Sequence, residues 1–195
     1  PEDCGRRVIT TGGHFGYLKI AEGCDKHCTY CIIPSLRGKF RSVPEERLLK
    51  QAEYMASQGV RELILVAQET TVNGTDLCGR KTLHLLLKKL CQIKGIRWIR
   101  VLYCYPEEIY DELIQVMKEE PKICHYLDLP IQHASDKILR RMGRRTSKQQ
   151  LIDIITKLRH EIPDIVLRTS LITGFPGETE EDHQELMEFV DEIEF

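Results

Sequence analysis

Apolar positions along the chain change period repeatedly, and each change marks an element. Residues 1–16 are polar and end in glycines, the pattern of a linker, within which Val8 to Thr11 could form a short strand. Phe15 to Glu22 reads as a first strand. Leu48, Leu49, Ala52, Met55 and Ala56 then fall at helical spacing, behind Pro44 and a Ser42/Glu45 pair with the form of a capping box, and this helix is expected to end near Gly59. Val60 to Ala67 is almost continuously apolar, as expected of a parallel strand buried on both faces. A polar loop, Gln68 to Lys81, leads to a helix capped by Thr82 and marked by Leu83, Leu86, Leu87 and Leu90. Arg97 to Cys104 is a third strand, Ile109, Leu113, Val116 and Met117 mark a third helix, and Cys124 to Leu129 is a fourth strand that runs into Pro130. A short helix capped by Ser135 ends at Gly143. Ser147 with Gln150 opens a longer helix to Glu161, Ile165 to Ile172 is a fifth strand, and Thr179 with Asp182 caps the last helix.

Five alternations of strand and helix predict an α/β fold with a parallel sheet and right-handed crossovers. The order alone does not choose between an open doubly wound sheet and a barrel. The 195 residues are 42% hydrophobic and show no Pro/Ser-rich break, so one core and one domain are expected. A net charge of −2 gives no basic surface that would advertise nucleic-acid binding. The longest apolar run, Leu63 to Ala67, is far short of the ~20 residues that cross a bilayer. Eight cysteines without a leader sequence, three of them at metal spacing, fit a reducing cytoplasm better than a secreted disulfide framework. The expectation is a soluble cytoplasmic protein.

Those three are Cys24, Cys28 and Cys31, spaced C-x3-C-x2-C directly after the first strand. Thiolates are the ligands that iron-sulfur clusters select. Three of them would leave one iron of a four-iron core open, by the logic that separates open catalytic metal sites from closed structural ones. The alternative is a non-catalytic zinc module with His27 as fourth ligand, although no second cysteine pair is present.

With Tyr30 before its last cysteine, this motif resembles the signature of the radical S-adenosylmethionine (radical SAM) enzymes. Leu18 to Cys24, Cys31 to Gly38 and Gly174 to Thr179 narrow the resemblance to the methylthiotransferase branch. Within it, Tyr126 to Ser135 is closer to the ribosomal-protein aspartate methylthiotransferases than to the tRNA-adenosine enzymes, which usually carry Gln-Ser-Gly-Ser where this chain has Gln132-His133-Ala134-Ser135. The resemblance implies a partial (β/α)6 barrel, of which residues 17–195 would supply five units. It also implies an N-terminal domain with a second 4Fe-4S cluster ahead of the linker, which Cys4 alone could not replace. The implied cofactors are a 4Fe-4S cluster and SAM, whose amino and carboxylate groups chelate the open iron before reductive cleavage yields a 5′-deoxyadenosyl radical. The implied partners are a small-subunit ribosomal protein, modified at the β-carbon of an aspartate, and an electron donor protein.

Candidate SAM contacts come partly from the residues and partly from the family. In parallel α/β folds ligands sit at the carboxyl ends of strands. Gln68 and Glu69 follow the second strand, where the family places groups for the amino end of SAM; a solvated loop start is the plainer reading. On the fifth strand Arg168 and Ser170 interrupt an apolar face, and on the fourth Asp128 lies opposite Leu127 and Leu129. Asp128 and Arg168 are therefore expected to pair in the lumen, buried together. Resemblance adds Gln132, the loop residues Gly174, Phe175 and Gly177, and Tyr30 for the adenine. Asp136, Arg140, Arg141, Arg144 and Arg145 read as a solvated charged face, and Cys78, Cys91, Cys104 and Cys124 as isolated thiols.

Overall fold

The computed structural model describes residues 8–195. Cys4 and the first part of the linker lie outside the described residues. In chain order the elements are β1 (Phe15–Lys19), β2 (Ala21–Glu22), α1 (Ile33–Arg37), β3 (Arg41–Ser42), α2 (Glu45–Ser57), β4 (Glu62–Val66), α3 (Thr75–Cys78), α4 (Leu83–Cys91), β5 (Trp98–Val101), a 3-10 turn (Pro106–Glu108), α5 (Asp111–Glu119), β6 (Ile123–Asp128), α6 (Asp136–Arg141), α7 (Lys148–Glu161), β7 (Val166–Arg168) and α8 (Glu180–Ile193).

Five strands form one parallel sheet in the order β1-β4-β5-β6-β7. Each strand lies beside its predecessor in the chain and the order never reverses. Doubly wound sheets reverse at a switch point, so the winding is that of a barrel wall, and the structure settles what the element order left open.

One face of this wall is sealed. Leu18, Leu63, Leu65, Ile99, Val101 and Leu127 are at most 1% exposed, and they pack with the helix residues Leu48, Met55, Leu87 and Leu113 in a single core. Each such side chain contributes about 1.5–3 kcal/mol. The other face is only half covered and carries polar pairs. Arg100 Nε donates to Glu62 Oε1 at 2.7 Å, with its guanidinium 4.8 Å above the Tyr126 ring. The expectation that the second strand is buried on both faces is corrected accordingly: Ile64 and Val66 are intermediate between the buried Leu63 and Leu65.

Several elements are shorter than the apolar runs suggest. The first strand ends at Lys19, and Ala21–Glu22 turns away to pair antiparallel with β3. The third ends at Val101 because Tyr103 takes a left-handed conformation, φ 58°. The fifth ends at Arg168, after which Leu171 keeps an isolated bridge to Gln132. Val8 to Thr11 forms no strand, and β1 begins at Phe15, inside the stretch read as linker. Ser42 caps nothing: it sits in β3, where its hydroxyl donates to Asp76 Oδ1 at 2.6 Å, and Pro44 starts α2 without a side-chain cap. The boxes at Ser147/Gln150 and Thr179/Asp182 both form as read.

Candidate functional site

Beyond β1 and β2 the chain turns at Gly23 and enters the three-cysteine loop. Gly23 N–H donates to Gln68 Oε1 at 2.9 Å and Cys24 N–H to Gly38 O at 3.1 Å, which moors the first cysteine to the end of β4 and to the turn after α1. At the far side, Thr29 N–H donates to Met142 O and its hydroxyl to Arg141 O, both at 2.9 Å. The loop is thus clamped between the carboxyl ends of strands and the exit of α6. Cys24 and Cys28 are buried, Cys31 is half-buried and His27 is exposed.

A cavity of about 290 Å³ opens beside the two buried thiols, walled by Lys26, Glu69, Tyr105, Glu108 and Arg144. Lys26 N–H points to Cys24 Sγ at 3.4 Å, and the Tyr105 hydroxyl lies 3.3 Å from Cys28 Sγ. Donors of this kind stabilise thiolate sulfur bound to metal. Without metal, burial pushes the Cys24 thiol up, and Glu69 adds to the effect. Burial also raises the phenols of Tyr30 and Tyr105; the neighbouring Cys28 adds to the rise and the Arg144 guanidinium works against it. The buried Cys24 thiol holds its proton more tightly than an ordinary thiol, and a metal core binding there displaces that proton.

The donor set fits an iron-sulfur cluster. Three thiolates, two of them buried and each of those two with an N–H or O–H group within reach of its sulfur, are the ligand type and setting that such a cluster takes.

Glu69 is the most constrained carboxylate of the site. It is 1% exposed, so the plainer reading of a solvated loop start is corrected. One oxygen accepts from the Thr71 N–H at 3.0 Å and from the Thr71 hydroxyl, while Oε2 is buried with no hydrogen-bond partner. Burial outweighs these bonds and lifts the carboxyl to about 7. An unbonded, buried carboxylate oxygen on a cavity wall is a place for a cationic donor.

Asp128 and Arg168 are register partners on adjacent parallel strands, so both point to the half-open face, away from Leu127 and Leu167. Their bond, Arg168 Nη1 to Asp128 Oδ1, is 2.6 Å. The expectation that both are buried is corrected: Asp128 is 2% exposed but the Arg168 side chain is 57% exposed, because β7 is the edge of the sheet. Gln132 holds φ 71° and exchanges backbone bonds with Ser170 and Ile172. Gly174 and Gly177 also have positive φ, and Phe175 N–H donates to Glu178 Oε2 at 2.8 Å. These residues lie at the carboxyl ends of β6 and β7, and none of them lines the cavity beside Cys24 and Cys28.

Sequence reasoning missed Tyr105, Lys26, Glu108 and Arg144. Arg144 is 5% exposed, so the reading of a wholly solvated charged face is corrected for it, while Asp136, Arg140, Arg141 and Arg145 are exposed as read. Tyr105 stands four residues beyond β5, and the rule that strand ends build the site would have flagged it.

The family model described as "Radical SAM superfamily" matches residues 18–190. The ribosomal protein uS12 methylthiotransferase RimO of Lachnoclostridium phytofermentans is 69% identical over 97% of this chain and 43% of its own length. RimO of Clostridium perfringens strain 13 is 58% identical over 97% of this chain and 42% of its own. The chain therefore spans less than half the length of the curated relatives it matches. Among solved structures, the radical SAM methyltransferase TsrM from Kitasatospora setae, with tryptophan substrate and a SAM analog bound, superposes with a TM-score of 0.73 at 16% identity, covering 93% of this chain and 34% of that one. The cobalamin-dependent radical enzyme OxsB, with aqua-cobalamin and SAM bound, gives 0.68 at 18% identity, covering 89% and 26%. At such identities the two structures establish a shared fold.

Proposed function

The chain belongs to the radical SAM superfamily, and we propose that it is the SAM-cleaving core of a ribosomal protein uS12 methylthiotransferase. The observation that carries this reading is 69% identity across almost the whole chain to an enzyme of that name. Cys24, Cys28 and Cys31 would hold a 4Fe-4S cluster with one iron free. When bound, that cluster supplies the electron for cleaving SAM.

The chain's own residues bind and orient. Glu69 Oε2 accepts a hydrogen bond from the SAM amino group, and Gln68 keeps Gly23, and through it Cys24, in place. Asp128, Arg168, Ser170 and Gln132 form a polar rim at the ends of β6 and β7 for the remainder of the cofactor. Gly174, Phe175 and Gly177 line its nucleoside side, with Tyr30 against the adenine. In the longer protein, residues before β1 serve as the linker from a domain with a second 4Fe-4S cluster, and the chain from β1 to residue 195 is the barrel core. An electron donor protein supplies the reductant. Among the described residues no helix is long and apolar enough to cross a membrane, which is compatible with action on a ribosomal protein in the cytoplasm.

The test offers the full-length enzyme uS12 and unmodified tRNA together, with SAM, a reductant and a sulfur source. Mass spectrometry is expected to find a methylthio group on an aspartate of uS12. A mass gain on the tRNA alone would overturn the assignment.

A further inference from the structure

Arg144 is a buried cation without an adequate anion. Its side chain is 0% exposed, and Glu107 Oε2, its acidic contact, is 3.5 Å from Nη2, at the far limit of a hydrogen bond. Nε and Nη1 have no hydrogen-bond partner among the described residues. A guanidinium so placed is destabilising unless a further negative group faces it. Its guanidinium carbon lies over the Tyr105 ring, 4.2 Å from the ring centre, and the Tyr105 hydroxyl is 3.3 Å from Cys28 Sγ. Arg144 and Cys28 also line the same cavity.

The backbone fixes this juxtaposition. Met142 and Arg141 accept the two bonds from Thr29, so the exit of α6 is fastened to the cysteine loop. Gly143 follows with φ 72°, and a Cβ there would lie 2.9 Å from the His27 carbonyl oxygen. Only glycine lets the two segments approach this closely, and the approach carries Arg144 inward beside Cys28.

We infer that Arg144 is the counter-charge of the cluster held by Cys24, Cys28 and Cys31, positioned by Tyr105, and that it raises the cluster's reduction potential. Reduction adds one negative charge to a core already bearing thiolates and sulfides. A cation fixed in a low-dielectric wall stabilises the reduced form more than the oxidised one. The stacked Tyr105 hydroxyl acts in the same direction by donating toward a ligand sulfur.

This inference rests on the cluster proposed above. A parent chain that takes up no iron and sulfide contradicts that reading, whereas the variants below test Arg144 in a chain that does. The chain is reconstituted anaerobically and titrated with dithionite, which supplies one electron per cluster, while electron paramagnetic resonance reads the reduced fraction in the absence of SAM. Arg144→Gln is expected to make reduction at least tenfold less favourable, a midpoint about 59 mV more negative for a one-electron couple. Arg144→Lys, which keeps the charge, should stay close to the parent. Loss of the cluster from Arg144→Gln but not from Arg144→Lys would show the same need for positive charge. An unchanged midpoint in Arg144→Gln, or loss of the cluster from both variants, would overturn the inference.

Discussion

The stability of the ligand-free chain is expected to fall by about 3 kcal/mol as pH rises from 4.5 to 7 on account of Glu69 alone, and Glu69→Gln should remove that slope. Burial raises this carboxyl from the ordinary 4.5 to about 7. The folded state therefore holds a proton that the unfolded state releases near pH 4.5. Stability is highest below that pH, declines while only the unfolded chain is ionised, and reaches its lower plateau above 7. At about 1.4 kcal/mol per pH unit the difference amounts to about 3 kcal/mol. Denaturant midpoints of parent and variant at pH 4.5, 6 and 8 give the difference directly, with the histidines cancelling between them. The same substitution is expected to weaken SAM binding at least tenfold, since a hydrogen bond between charged groups is worth roughly 1.5–3 kcal/mol. A site that is costly when empty and favourable when an ammonium group docks on Glu69 Oε2 explains why so buried an acid stands on the cavity wall. Parallel pH profiles of parent and variant would contradict this account.

Gly23→Ala is expected to cost about 2–5 kcal/mol and to prevent loading of the cysteine loop. Gly23 has φ 83°, and a Cβ built there lies 2.6 Å from the Gly38 carbonyl oxygen and closer still to that of Lys39. Both obstacles are backbone, in the turn that accepts the Cys24 N–H, so relief requires the loop to move. The left-handed conformation accounts for about 1–2 kcal/mol and the overpacking for about 1–3 kcal/mol. Chemical denaturation reads the stability, and iron uptake reads the loop. A variant of unchanged stability that loads fully would show that the turn yields freely.

Most of the scaffold was legible because its signals are local. Ser147 and Gln150 lie beside the helix they cap, as do Thr179 and Asp182, whose carboxylate keeps its box while also accepting from Ser135 and Lys137. Ser42/Glu45 has the same spelling but fails, since a distant acid, Asp76, captures the Ser42 hydroxyl. Ser135 and Thr82 stand at the starts of their helices as read, yet their hydroxyls donate elsewhere, to Asp182 Oδ1 at 2.8 Å and Asn73 O at 3.3 Å. Pairing of Asp128 with Arg168 followed from period two and strand adjacency. The exposure of Arg168 did not, because edge position is a property of the sheet. Barrel winding came only from the family resemblance, for element order carries no record of which neighbour each strand chooses. In the site, the three cysteines and Glu69 could be found by spacing and strand ends. Arg144 could not: six charged residues from 136 to 145 look alike in one dimension, and only the close approach at Gly143 turns one of them inward.

The central claim, that Cys24, Cys28 and Cys31 form a three-thiolate cluster site, is tested most directly by anaerobic reconstitution followed by iron and sulfide quantification. The parent chain should bind roughly four irons and four sulfides and give a reduced-cluster resonance signal with dithionite, while Cys28→Ala should lose both. Tight stoichiometric zinc binding by the parent, with no uptake of iron, would contradict the account.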